Sequence, residues 1–425
     1  MAPLTPYISF LYFALLLYPL VPAALLGLTG RLGLWYVLLA SAGMIWLQYD
    51  DPFSRVPEPR HVADALAGLW HTAPQLVLLL AFTAFELVVM LAYAAVRRRG
   101  NSRWLYYLAV GLALTPLALV KFYPLLTGQQ QVFGLASSPT QALLAPGLAD
   151  AIGFVGMSYV TFRAVDVIIN LRDGLIDRPG VGLYLAFLLF FPTLSAGPID
   201  RIHRFSGDWR RPRTRSEYLT DMDSGFYRLA QGFLYKFLIA DWIWMHWLLP
   251  AAGQHGALGL LSYMYAYSLY LFFDFAGYSA FAIGVSRFLG VHTPENFRAP
   301  FLSRNFKDFW NRWFLTLSFW LRDHVYMRFV LGATRRKLFR NKYAASYIGY
   351  LITMGLMGLW HGPQANYLAY GLYQGIMLIC SDYLARWNQR RQLLPDNSLT
   401  RALSVLLTVN LVCFGLLIFS GRLFT

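Results

Sequence analysis

The residue best suited to chemistry is His361, in the run Gly358-Leu359-Trp360-His361-Gly362. It closes an apolar stretch, and Gly362-Pro363 then forces a break in the chain. Imidazole can take a proton from a hydroxyl near neutral pH. A break at membrane depth must line a cavity that is enclosed by protein or filled with water. These residues alone leave a second reading open, a buried histidine that serves packing and hydrogen bonding. Other ionisable residues also interrupt apolar runs. Arg163 and Asp166 are three positions apart and so share one helix face. Lys236, Asp241 and Asp274 lie farther along. Each is a functional hypothesis by default in a membrane chain, and a structural pair or a snorkelling helix end is the competing explanation.

Several chemistries find no support. The chain has no Gly-x-Ser-x-Gly elbow, no His-Glu-x-x-His and no phosphate-binding Walker loop. Hydrolase, zinc protease and ATPase readings therefore lack a motif. Cys380 and Cys413 sit in apolar stretches without metal-ligand neighbours, so the sequence predicts no disulfide and no metal site.

The elements that must hold these residues are apolar helices. Of 425 residues, 57% are hydrophobic, 17% aromatic and only 13% charged, against about 25% charged in an average globular domain. Apolar segments fall at 7–29, 33–48, 73–96, 104–127, 150–170, 181–198, 226–250, 258–289, 344–360, 364–385 and 400–420. At about 20 residues per crossing, they predict an all-α polytopic membrane protein of ten to eleven transmembrane or re-entrant helices. A single domain over 1–425 is expected, with no separate soluble domain. The start of the chain lacks a basic stretch and a small-residue cleavage site, so 7–29 reads as a retained helix rather than a signal peptide.

Net charge is +15, from 36 basic and 21 acidic residues. In a membrane chain this excess marks cytoplasmic loops and anionic headgroups rather than nucleic acid. Arg97–Arg103, Arg201–Arg215 and Arg386–Arg391 form clusters, whereas loop 49–72 is richer in acids and is expected outside. Two full crossings at 150–170 and 181–198 would put the Arg201–Arg215 loop outside as well. One of those segments is therefore expected to be re-entrant or partly buried. Residues 298–342 hold eleven Lys or Arg among Phe306, Phe309, Trp310, Trp313, Phe314, Phe319 and Trp320. That pattern predicts amphipathic helices at the cytoplasmic interface.

Taken together, these runs resemble the membrane-bound O-acyltransferase (MBOAT) family, and within it the DltB-type D-alanyl transferases. The resemblance covers nearly the whole chain. It is carried by Thr5-Pro6-Tyr7, by Phe191-Pro192-Thr193-Leu194-Ser195-Ala196-Gly197-Pro198-Ile199-Asp200-Arg201 and by Gly232-Phe233-Leu234-Tyr235-Lys236-Phe237. It continues in Tyr270-Leu271-Phe272-Phe273-Asp274-Phe275-Ala276-Gly277-Tyr278, Pro294-Glu295-Asn296-Phe297 and Lys307-Asp308-Phe309-Trp310-Asn311-Arg312-Trp313. Trp320-Leu321-Arg322-Asp323, Tyr326-Met327-Arg328-Phe329-Val330 and the Trp360-His361 run complete it. One position departs. The family's Asn-Arg-Trp-His reads Asn311-Arg312-Trp313-Phe314 here, so one family histidine is absent. His324 is ten residues on, a depth difference of about 15 Å along a helix, and is a poor substitute.

The resemblance implies a multi-pass protein of the bacterial cytoplasmic membrane that transfers D-alanine across it. The donor would be a phosphopantetheine thioester on an acidic carrier protein in the cytoplasm. The acceptor would be a hydroxyl of (lipo)teichoic acid or a similar envelope polymer. No permanently bound cofactor is implied. His361 becomes the catalytic candidate, with Asn311 and Arg312 as helpers in substrate binding. O-acetylation of an exopolysaccharide, or a non-enzymatic export role, are the alternatives.

Overall fold

The computed structural model describes residues 17–50, 74–100, 102–127, 156–177, 179–211, 213–341, 343–392 and 395–424. Thr5-Pro6-Tyr7, the start of the 7–29 segment, residues 51–72 of the acidic loop and residues 150–155 lie outside them. Every described element is a helix or helical turn. Four helices are long and apolar enough to cross a membrane: Leu78–Arg99, Arg103–Phe122, Gly256–Phe288 and Ser398–Phe419. The others are shorter or more polar, so the structure establishes a helical membrane protein but not ten to eleven crossings.

Of the two segments in doubt, 181–198 holds only the eight-residue helix Val181–Leu188, followed by a 3₁₀ turn at Phe191–Thr193. At 1.5 Å per residue it spans about 12 Å, well short of a hydrocarbon core of about 30 Å. Its Tyr184, Ala186, Phe187 and Leu188 are buried.

The described residues form two compact units, Met1–Leu229 with Ala282–Thr293, and Ala230–Phe281 with Pro294–Thr425. In the first, Arg163 and Asp166 each reach other elements. Arg163 is buried and donates to the carbonyls of Phe187 (3.0 Å), Leu188 (2.9 Å) and Thr193 (2.5 Å). It thus serves the unpaired carbonyl end of Val181–Leu188. Asp166 accepts from Arg201 (3.1 Å) and from the backbone N–H of Ile202 (3.2 Å), the first residue of the helix Ile202–Arg210. One helix face thus carries the right charge for one helix C-terminus and one N-terminus.

Beyond it lies an ionic cluster. Arg204 pairs with Asp200 and with Asp208 (2.9 Å). His292 faces both Asp208 (3.3 Å) and Asp221 (2.7 Å), and Arg287 (3.0 Å) and Arg213 (3.6 Å) close the ring on Asp221.

In the second unit the chain forms a helical hairpin, Ala344–His361 and Ala365–Arg391. Its arms touch backbone to backbone at Gly358 and Gly371. A Cβ on Gly358 would stand 2.4 Å from the Tyr367 carbonyl oxygen, so no larger residue fits without parting the arms. Segment 298–342 forms short helices with buried Phe306, Phe309, Trp310, Trp313 and Phe314 and exposed Arg304 and Lys307. The aromatic side is thus packed inside the protein and the basic side lies at its surface.

Candidate active site

His361 is the last residue of Ala344–His361, where Gly362 and Pro363 turn the chain back into the hairpin. A Cβ on Gly362 would meet the Gln364 side-chain oxygen at 2.2 Å and the Tyr367 ring at 3.0 Å, so a larger residue would have to displace both side chains. The half-buried imidazole is surrounded by rings. Trp360 lies at 4.5 Å between centroids, Phe419 at 4.8 Å, Tyr367 at 5.8 Å and Tyr370 at 6.5 Å. Those rings come from three helices, the two hairpin arms and Ser398–Phe419.

Position 314 reaches the same cluster. Phe314 packs edge-on against Phe275 at 4.8 Å and lies 6.3 Å from Trp360. Position 314, where the resemblance implied a histidine, therefore adjoins the Trp-His pair. Phe314 caps the helix Leu315–Leu321 in the left-handed conformation (φ 43°, ψ 54°), which costs a bulky residue energy and marks an over-determined site. A buried polar network holds it there. The Asn296 carbonyl accepts from the Leu315 N–H (2.9 Å). The Asn296 side chain accepts from Thr316 (2.6 Å) and donates to Ser279 (3.0 Å).

The other expected residues are placed differently. Asn311 is exposed at the end of the short helix Phe306–Trp310. Arg312 pairs with Asp308 at 2.7 Å, and its backbone N–H bonds the Phe309 carbonyl (2.8 Å). The residue of this run joined to the hairpin is Trp310, whose indole N–H donates to Gln374 (3.2 Å). Lys236 and Asp274 form an ion pair with each other, a structural role. Lys236 lies in a stretch of π-helix, Leu234–Ala240. His324 packs on Trp320 at 4.7 Å. Among the described residues, no group of three or more His, Cys, Asp or Glu could hold a metal ion.

The sequence reading passes over an ionisable residue in a spanning run. Glu86 lies in Pro74–Arg99, is fully buried, and neither carboxyl oxygen has a hydrogen-bond partner. A lone acid within a spanning run is the signal that finds it.

A histidine at a broken helix end, enclosed by rings in a helical membrane protein, is suited to moving a proton during group transfer. Residues 65–420 match the model of the membrane-bound O-acyltransferase family, and the chain belongs to that family. It is a multi-pass membrane acyltransferase, which removes the non-enzymatic export reading.

Among relatives, it is similar to the teichoic acid D-alanyltransferase of Bacillus subtilis, 40% identical over 424 residues with 99% of each chain covered. The protein of that name from Lacticaseibacillus rhamnosus is 36% identical over 438 residues, covering 100% of this chain and 98% of that one. A probable alginate O-acetylase of Pseudomonas putida is 33% identical over 298 residues, 67% of this chain and 56% of that one.

Proposed function

We propose that this acyltransferase passes D-alanine from a phosphopantetheine thioester on an acidic cytoplasmic carrier protein to a hydroxyl of teichoic acid or a similar envelope polymer. End-to-end similarity to teichoic acid D-alanyltransferases carries this reading. The acceptor oxygen attacks the thioester carbonyl carbon. A C–O bond forms, the C–S bond breaks, and the hydroxyl proton passes to the His361 imidazole and then to the departing thiolate sulfur. The thioester is already activated, so the step consumes no ATP. Exclusion of water from the helix interior protects the thioester from hydrolysis.

In this scheme Asn311 and Arg312 orient donor or acceptor. Arg298, Arg304, Lys307, Arg335, Arg336 and Lys337 are exposed and suit electrostatic steering of an acidic carrier. The phosphopantetheine arrives with the carrier, and the protein itself holds no permanent cofactor.

A second reading, acetyl transfer to an exopolysaccharide, draws on the similarity to a probable alginate O-acetylase. Purified protein in vesicles, given carrier-bound radiolabelled D-alanyl and acetyl thioesters, separates the two. Label passing from D-alanyl thioester to the membrane acceptor is expected. Transfer of acetyl but not D-alanyl would overturn the first reading.

A further inference from the structure

A D-alanyl group differs from a plain acyl group of the same size by the ammonium beside its carbonyl. An enzyme that moves it must accommodate a positive charge next to the reacting carbon. We infer that the ring faces of Trp360, Tyr367 and Phe419 beside His361 receive that α-ammonium by cation–π attraction. The inference rests on the D-alanyl reading above and specifies what its site recognises.

The supply of charge around His361 argues for rings. From residue 344 to 381, and from 398 to 425, the sequence contains no Asp or Glu. Those stretches supply Trp360, His361, Tyr367, Tyr370 and Phe419. Asp274, on Gly256–Phe288, is already paired with Lys236. An ammonium brought to His361 therefore meets no carboxylate from those stretches, and Asp382, at the other end of Ala365–Arg391, pairs with Arg386. The ammonium meets π-faces, which attract a cation within about 6 Å of the ring centroid, more strongly when water is excluded.

The ring geometry fits. Tyr370 is buried and forms the floor, at 5.1 Å from Phe419. Tyr367 and Phe419 stand 5.1 Å apart, and both are half-buried, as are Trp360 and His361. The rings thus pack on one another without any of these four residues being fully buried. A neutral imidazole is the form able to accept the acceptor's proton, and it does not repel the ammonium.

The test compares two donors on unmodified protein in vesicles. D-alanyl and propionyl thioesters of the same carrier differ only by the ammonium group in place of hydrogen. D-alanyl is expected to show about tenfold or higher kcat/KM, since one cation–π face contributes roughly 2- to 30-fold. Tyr367→Leu and Phe419→Leu should each shrink that ratio toward one, and Tyr367→Phe should keep it. Equal transfer of both donors by the unmodified protein would overturn the inference and leave D-alanyl transfer standing. Transfer of neither would overturn both. If Tyr367→Leu does not fold, the unmodified-protein ratio and Phe419→Leu still decide.

Discussion

Two histidines stand in opposite surroundings. His292, in the first unit, faces Asp208 and Asp221, with Arg204, Arg213 and Arg287 on the same carboxylates. His361, in the second, has Trp360, Tyr367, Tyr370 and Phe419 as its ring neighbours. Ion pairs thus gather around the first histidine, and aromatic rings pack around the reactive candidate. The physical reason is that a charge taken from water must be paired or served by dipoles, so each charge recruits others and the cluster becomes a fastening. In this chain, a crowd of ionisable groups is the weaker guide to chemistry.

The sharpest way to break that contrast is His361→Ala. Acyl transfer is expected to fall by about 10²–10⁴-fold, the usual contribution of a general base, with the melting temperature close to normal. Turnover measured beside thermal unfolding in detergent checks both. Near-normal turnover by a stable variant would send the proton elsewhere and place His361 with the structural histidines.

Arg163→Met tests the opposite side. It removes the donor that serves the Phe187, Leu188 and Thr193 carbonyls. Buried acceptors left unmade cost about 1–3 kcal/mol each, so a loss of about 3 kcal/mol or more is expected. The rate per folded molecule should hold. A stable Arg163→Met protein with reduced turnover would show that the fastening also serves the reaction.

Phe314→His sharpens the contrast from within the aromatic cluster. Histidine enters the left-handed region more readily than phenylalanine, so the Asn296-held turn accommodates it. The edge contact with Phe275 is lost at about 0.5–1.5 kcal/mol. Turnover is expected to rise, by less than the roughly 10²-fold of a well-placed proton donor. Unchanged kcat would mean that position 314 does not reach the reacting atoms.

What could be read in advance follows the range of each interaction. Apolar runs and the Gly-Pro break at His361 are local, and the helix end at Gly362 sits where they place it. That Arg163 and Asp166 share a face was legible from spacing. Their partners at 187, 188, 193, 201 and 202 were not, because these come from other elements. The Arg312–Asp308 pair follows a local rule that the sequence reading passed over: Asp308 lies four residues before Arg312, one helical turn away. The approach of Phe314 to Trp360 joins distant segments, and no periodicity foretells it. Glu86 was in plain sight as the acid in an apolar run, and its isolation becomes apparent only in the packed helices.

The smallest expected effect concerns His292 and the pH dependence of stability. Hydrogen bonds to Asp208 and then Asp221 raise its pKa above the ordinary value of 6.5, against burial and the Arg287 charge. For Asp208 and Asp221, burial pushes upward, but hydrogen bonds to His292 and nearby positive charges leave both below 3.8. The signs then follow. A raised histidine stabilises the fold fully below its unfolded pKa of 6.5, and the contribution is lost as pH rises through the folded value. The depressed carboxylates contribute above 3.8 and lose their share as pH falls below it. Stability of the unmodified protein should therefore decline on the alkaline side of 6.5, and His292→Gln should flatten that limb. The side chain is 35% exposed, so solvent screening keeps the difference below about 1 kcal/mol. Melting temperatures of both proteins across pH 5 to 9 read it directly. Parallel curves would mean that His292 is neutral in the folded protein, and the charged cluster would then be held by its arginines alone.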